Sequence, residues 1–120
     1  FDFSAYFTSD IDDTSLSVVD FFGYVIIAPV IETALMRPII NLIRYFTVRF
    51  WVIVFCSAFI WSCLHSLMLP VWGLFVFTCF VVFSVAYLTW EKRSNKYAYT
   101  ITASIHALHN LSVCTALVFL

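Results

Sequence analysis

The residues able to do chemistry in this sequence are few and lie inside apolar text. Glu32 and Arg37 interrupt APVIETALMRPIINL, residues 28–42. His65 ends the stretch FIWSCLH, and His106, His109 and Asn110 share SIHALHNL. A carboxylate, two imidazoles and an amide in a dry pocket are the parts needed to activate water and stabilise an oxyanion. His106 and Asn110 stand at i and i+4 on one helical face, with His109 at i+3. Trp61 and His65 have the same i,i+4 relation. Glu32 and Arg37 are five residues apart, which is ~140° around a helix and not a facing arrangement. Thr33 and Arg37 are the i,i+4 pair there. The plain alternative is a structural Glu–Arg ion pair that holds a bundle. A lone histidine would likewise be a core residue bonded to a carbonyl. Histidines on two segments and a glutamate on a third weigh against that alternative.

The elements that must position these residues follow from hydropathy. The chain has 120 residues, 63% hydrophobic and only 11% charged, with a mean hydropathy of +1.00. A soluble domain carries about 25% charged residues, so the composition is that of a membrane protein. The net charge of −1 supplies no basic field for nucleic acid. Between positions 50 and 90 no Asp, Glu, Lys or Arg occurs. One helix of that length would span ~60 Å, about twice the hydrocarbon thickness. The chain must therefore turn back, and Pro70 and Gly73 in MLPVWG supply the break. Four spans result, at about 21–43, 50–69, 72–90 and 97–120. The predicted class is all-α, a polytopic membrane protein whose four transmembrane helices form one core from 21 to 120. Residues 1–20 are acidic and Ser/Thr-rich, an expected extramembrane lead-in with Thr14 or Ser15 as a helix cap. The start at Phe1, with the first Met at Met36, is expected of a processed product or a fragment. Cys56, Cys63, Cys79 and Cys114 form no CxxC pair and read as small packing residues. With four spans, the basic loops at Arg44 and Arg49 and at Lys92, Arg93 and Lys96 fall on one side. The positive-inside rule makes that side cytoplasmic.

The order Glu-x-x-x-x-Arg, aromatic-x-x-x-His, His-x-x-x-Asn, each in its own span, resembles the CPBP family. That is the family of type II CAAX prenyl proteases and bacteriocin-processing (abortive-infection) intramembrane proteases. Its motifs, usually Glu-Glu-x-x-x-Arg, Phe-x-x-x-His and His-x-x-x-Asn, fall on Glu32 to Arg37, Trp61 to His65 and His106 to Asn110. The likeness covers roughly residues 20–115. Thr33 stands at the usual second Glu, Trp61 at the usual Phe, and Pro38 where Gly is frequent.

The resemblance implies an intramembrane endopeptidase with a glutamate-activated water, no cofactor and no required metal. Glu32 would be the general base, and His65 would hold and polarise the water. His106 and Asn110 would stabilise the oxyanion, with Arg37, Thr33 and Trp61 in support. His109 is left to packing or a backbone carbonyl. The partners are the lipid bilayer and a peptide or protein substrate, with prenylated C-terminal peptides, bacteriocin leaders and membrane-protein fragments all in range. Three rivals use the same residues. Two histidines and a glutamate form a zinc-ligand set, although no HExxH helix is present. An inactive relative would bind a partner, and a proton or ion pathway would use the same buried groups.

Overall fold

The computed structural model describes residues 18–119. It opens on an unbroken helical segment, Val18–Arg44, made of α1 (Val18–Phe22), a π-helical turn (Gly23–Ile27) and α2 (Ala28–Arg44). Then come α3 (Phe50–Met68), α4 (Trp72–Glu91) and α5 (Asn95–Phe119). No strand occurs among the described residues. All four long helical segments are long and apolar enough to cross a bilayer. The chain is an all-α, multi-pass membrane protein, the class its apolar runs predict. Lipid offers backbone groups no hydrogen bond, so each span must satisfy its own, and helices do so. The outward faces carry large apolar side chains such as Phe55, Phe59, Leu64, Leu74 and Phe75, which a bilayer covers and water would not. The Thr14 or Ser15 cap and most of the 1–20 lead-in lie outside the described residues. Val18, Val19 and Asp20 already belong to α1.

The helices close a ring. α2 packs on α3 and α5, and α4 packs on the same two from the other side. Met36, Ile40, Val54, Ala58, Trp61, Phe80, Phe83, Tyr87 and Ala98 fill the middle. Where α3 meets α4, the Ser57 and Ser84 hydroxyls lie 3.1 Å apart and are fully buried. Small residues let helix backbones approach closely in lipid, where packing replaces the hydrophobic effect between helices. At one end Arg44 of α2 grips Glu91 of α4 through two contacts, Nη1 to Oε1 at 2.9 Å and Nη2 to Oε2. Each guanidinium nitrogen meets its own carboxylate oxygen, the geometry in which Arg and carboxylate pair most strongly.

The reversal between α3 and α4 falls at Leu69 and Pro70, and side chains lock it. Ser66 Oγ donates to the Pro70 carbonyl at 3.1 Å, and Ser62 Oγ to the Gly73 carbonyl at 2.5 Å. Gly73 has no room for a side chain. A Cβ there would lie 2.5 Å from the Ser62 carbonyl oxygen and would overlap Ser66 Oγ. Around Gly23 nothing lies within 4 Å of the same position. Gly73→Ala should therefore push α4 off α3 and destabilise by about 1–3 kcal/mol. Gly23→Ala should be neutral or stabilising by up to about 1 kcal/mol. Thermal unfolding of the two detergent-solubilised variants beside the wild type checks the contrast.

Candidate functional site

The site begins with the buried stripe of α2. Thr33, Met36 and Ile40 on this stripe are fully buried and Ile43 nearly so. Their spacing of three and four residues turns one face of α2 to the ring interior. Glu32 adjoins that stripe. Its Oε1 lies 3.7 Å from His65 Nε2 of α3, and its Oε2 lies 3.2 Å from His106 Nε2 of α5. One carboxylate thus faces imidazoles from two other helices. The His106 side chain is 5% exposed, whereas Glu32 retains 23% and His65 20%. The cluster is sealed behind His106 and open beside Glu32 and His65.

The imidazoles are held from several directions. His65 Nδ1 donates to the Trp61 carbonyl at 2.8 Å. A carbonyl can only accept, so Nδ1 carries the proton and, in the neutral ring, Nε2 presents a lone pair toward Glu32. The Trp61 ring stacks on Phe80 of α4 at 4.8 Å between centroids. Phe80 also touches His65 at 5.3 Å and meets His106 edge-on at 5.7 Å. Phe83 lies against His106 at 4.2 Å. α4 carries no acid or histidine of its own inside the ring, yet its two phenylalanines form the wall on which both imidazoles rest.

Asn110 follows His106 by one turn of α5 and is buried with it. Its Nδ2 donates to the Tyr24 carbonyl in the π turn at 2.9 Å. Four buried side-chain atoms have no hydrogen-bond partner among the described residues: Thr33 Oγ1, Trp61 Nε1, Thr102 Oγ1 and His106 Nδ1. Such groups are uncommon in native interiors. Each of these lies on, next to, or one turn before a residue of the Glu32 cluster in its own helix.

Arg37, His109 and the cysteines make no hydrogen bond or ion pair with Glu32 among the described residues. Arg37 is exposed and, among the described residues, makes no hydrogen bond or ion pair, whether with Glu32 or with Thr33. Thr33 turns inward while Arg37, at the edge of the buried stripe, turns out. His109 packs, the first of the two roles expected for it: its Nε2 lies 3.4 Å from Cys79 Sγ and its ring meets Phe83 edge-on. Cys114 is buried as a packing residue, but Cys56 and Cys63 face outward, and all four thiols are free. Sequence reasoning missed Phe80, Phe83 and the Tyr24 carbonyl. Among the described residues no group of three His, Cys, Asp or Glu side chains is disposed to hold a metal ion.

A carboxylate thus meets imidazoles from two other helices of a multi-pass membrane protein, with the buried Asn110 amide one turn from His106. The family follows: the type II CAAX prenyl endopeptidase Rce1-like family matches residues 14–112, and the chain belongs to it. This is a family of proteases that act on peptide or protein substrates in a membrane. The matched span contains Glu32, His65, His106 and Asn110. No curated protein and no solved structure matches the chain.

The aromatic wall makes a prediction of its own. Phe80→Ala should cost about 3–5 kcal/mol of stability and should lower turnover by freeing both imidazoles. Phe80→Leu keeps most of the volume and should recover most of the stability but only part of the turnover. Melting in detergent and cleavage rates for the two variants measure the separation.

Proposed function

We propose that the chain is an intramembrane endopeptidase of the CAAX-processing type in which Glu32 activates the attacking water. The observation that carries this reading is the Glu32 carboxylate standing 3.7 Å from His65 and 3.2 Å from His106, each on a different helix. The separation from His65 exceeds a direct hydrogen bond. A water beside both groups gives one hydrogen to Glu32 and the other to the His65 Nε2 lone pair, which directs its oxygen outward. On attack the water oxygen bonds to the scissile carbonyl carbon and Glu32 takes its proton. The carbonyl oxygen becomes the oxyanion, and His106 and Asn110 are the donors closest along α5 to receive it. Collapse breaks the C–N bond, Glu32 returns the proton to the leaving nitrogen, and the new carboxylic acid, which keeps the water's second hydrogen until it ionises, departs with the new amine.

The family and the membrane setting support a prenylated C-terminal peptide as the substrate class. A prenylated C-terminal peptide brings its own apolar chain, which the bilayer accommodates while the peptide reaches the open flank at Glu32 and His65. The basic loops support one orientation. Arg44, Arg49, Lys92, Arg93 and Lys96 gather with the exposed aromatics Tyr45, Phe46, Trp51 and Tyr97 at one end of the ring. Aromatic rings favour the membrane interface and basic loops the cytoplasmic side, so this end is cytoplasmic.

Glu32→Gln keeps shape and removes only the base. It should lower cleavage of a prenylated CAAX peptide by at least about 100-fold, with insertion and melting unchanged. His65→Ala and His106→Ala should be comparably severe, because groups acting as a unit do not add. Activity should also survive thorough chelation. Near-normal cleavage by Glu32→Gln overturns the assignment. Loss on chelation that zinc restores recasts Glu32, His65 and His106 as metal ligands.

A further inference from the structure

The Tyr24 carbonyl, which receives Asn110, is an acceptor that its own helix abandons. In an α-helix the Ala28 N–H would bond to Tyr24. Here the backbone shifts into the π turn Gly23–Ile27, and the Ala28 N–H goes to the Gly23 carbonyl instead. The next bond of the same series would run from residue 29 to Tyr24. Residue 29 is proline, which has no N–H to give. Both intrahelical donors are therefore lost, one diverted and one missing. An orphan carbonyl in a membrane helix needs another donor, and Asn110 Nδ2 supplies it from α5 at 2.9 Å.

This bond fixes more than a helix contact. A carbonyl partner requires the NH2 end of the carboxamide to face it, so the side chain of Asn110 has one orientation. One N–H is committed to Tyr24, and the second remains for a further acceptor. His106, one turn earlier on α5, has its Nε2 beside Glu32. The second Asn110 N–H is therefore left uncommitted on this face. Pro29 itself is fully buried, at the point where α2 resumes after the π turn. π turns of this kind occur frequently at functional sites.

We propose that Pro29 is a positioning residue for the reaction: by withholding an N–H from Tyr24 it makes that carbonyl the anchor that aims Asn110 at the oxyanion. The inference rests on the oxyanion role of Asn110 proposed above. The competing account is that proline merely restarts a helix, as it commonly does in a first turn. The two differ in what happens when the N–H returns. Pro29→Ala supplies a donor to Tyr24 from within the helix, and Asn110 loses its anchor.

The test compares wild type, Pro29→Ala, Asn110→Ala and the double variant, in detergent, on a prenylated CAAX peptide. Pro29→Ala should lower kcat about 10-fold or more with KM within about twofold, since a misplaced group costs the transition state and not binding. The double variant should be no slower than Asn110→Ala, because an unanchored side chain and a deleted one are lost only once. Melting midpoints give a readout independent of turnover. Asn110→Ala should lower the midpoint when Pro29 is present and leave it nearly unchanged in the Pro29→Ala background. Should Pro29→Ala fail to accumulate, Pro29→Ser restores the same N–H. Additive losses in kcat, or unchanged kcat in Pro29→Ala, overturn the positioning role even if the midpoints couple. Wild-type kcat in Asn110→Ala overturns the inference together with the oxyanion role. Glu32→Gln run alongside shows whether the water-activating half of the site stands without it.

Discussion

A carboxylate at the depth of the hydrocarbon core is expensive unless polar groups surround it. In this chain Glu32 meets that condition only where α2, α3 and α5 come together, because its polar neighbours are His65 and His106. Much of the architecture serves that meeting. α4 stands opposite and supplies Phe80 and Phe83 as a floor for the imidazoles. Gly73 and the serines of α3 allow α4 to come close enough. Arg44 and Glu91 tie α2 to α4 at the far end of the ring.

The bilayer also explains why the irregular backbone is confined to one place. Every carbonyl inside lipid needs a donor, so a π turn followed by proline is tolerable only where another helix can answer it. α5 packs on the π turn, and Asn110 answers the Tyr24 carbonyl. α5 therefore serves both the irregular turn and the Glu32 cluster, with Asn110 and His106 one turn apart on it. A site built this way exchanges regular helical bonding for a fixed side-chain orientation.

The sequence revealed the four helices and the reversal near Pro70 because charge is so scarce that its absence between positions 50 and 90 sets a length limit. Glu32, His65 and His106 stood out for the same reason, as polar residues in apolar text. The aromatic wall was not legible. α4 is apolar on every side, so no periodicity marks Phe80 and Phe83 as inward residues. The outward turn of Arg37 was not legible, because spacing along α2 says which residues neighbour one another, not which side of the stripe faces the ring. The Tyr24 carbonyl was hidden because a π turn shifts the bonding register without any signature residue except Pro29, which also reads as an ordinary helix start.

The central claim is that Glu32 acts on water and never bonds to the substrate. A single turnover of a prenylated CAAX peptide in H2(18)O tests it directly, with mass spectrometry of the product and of the Glu32 peptide. The account predicts the heavy oxygen in the new C-terminal carboxylate of the product and none in the Glu32 side chain. Heavy oxygen in Glu32 would mean that its carboxylate attacked the peptide and was released by hydrolysis, which contradicts the account.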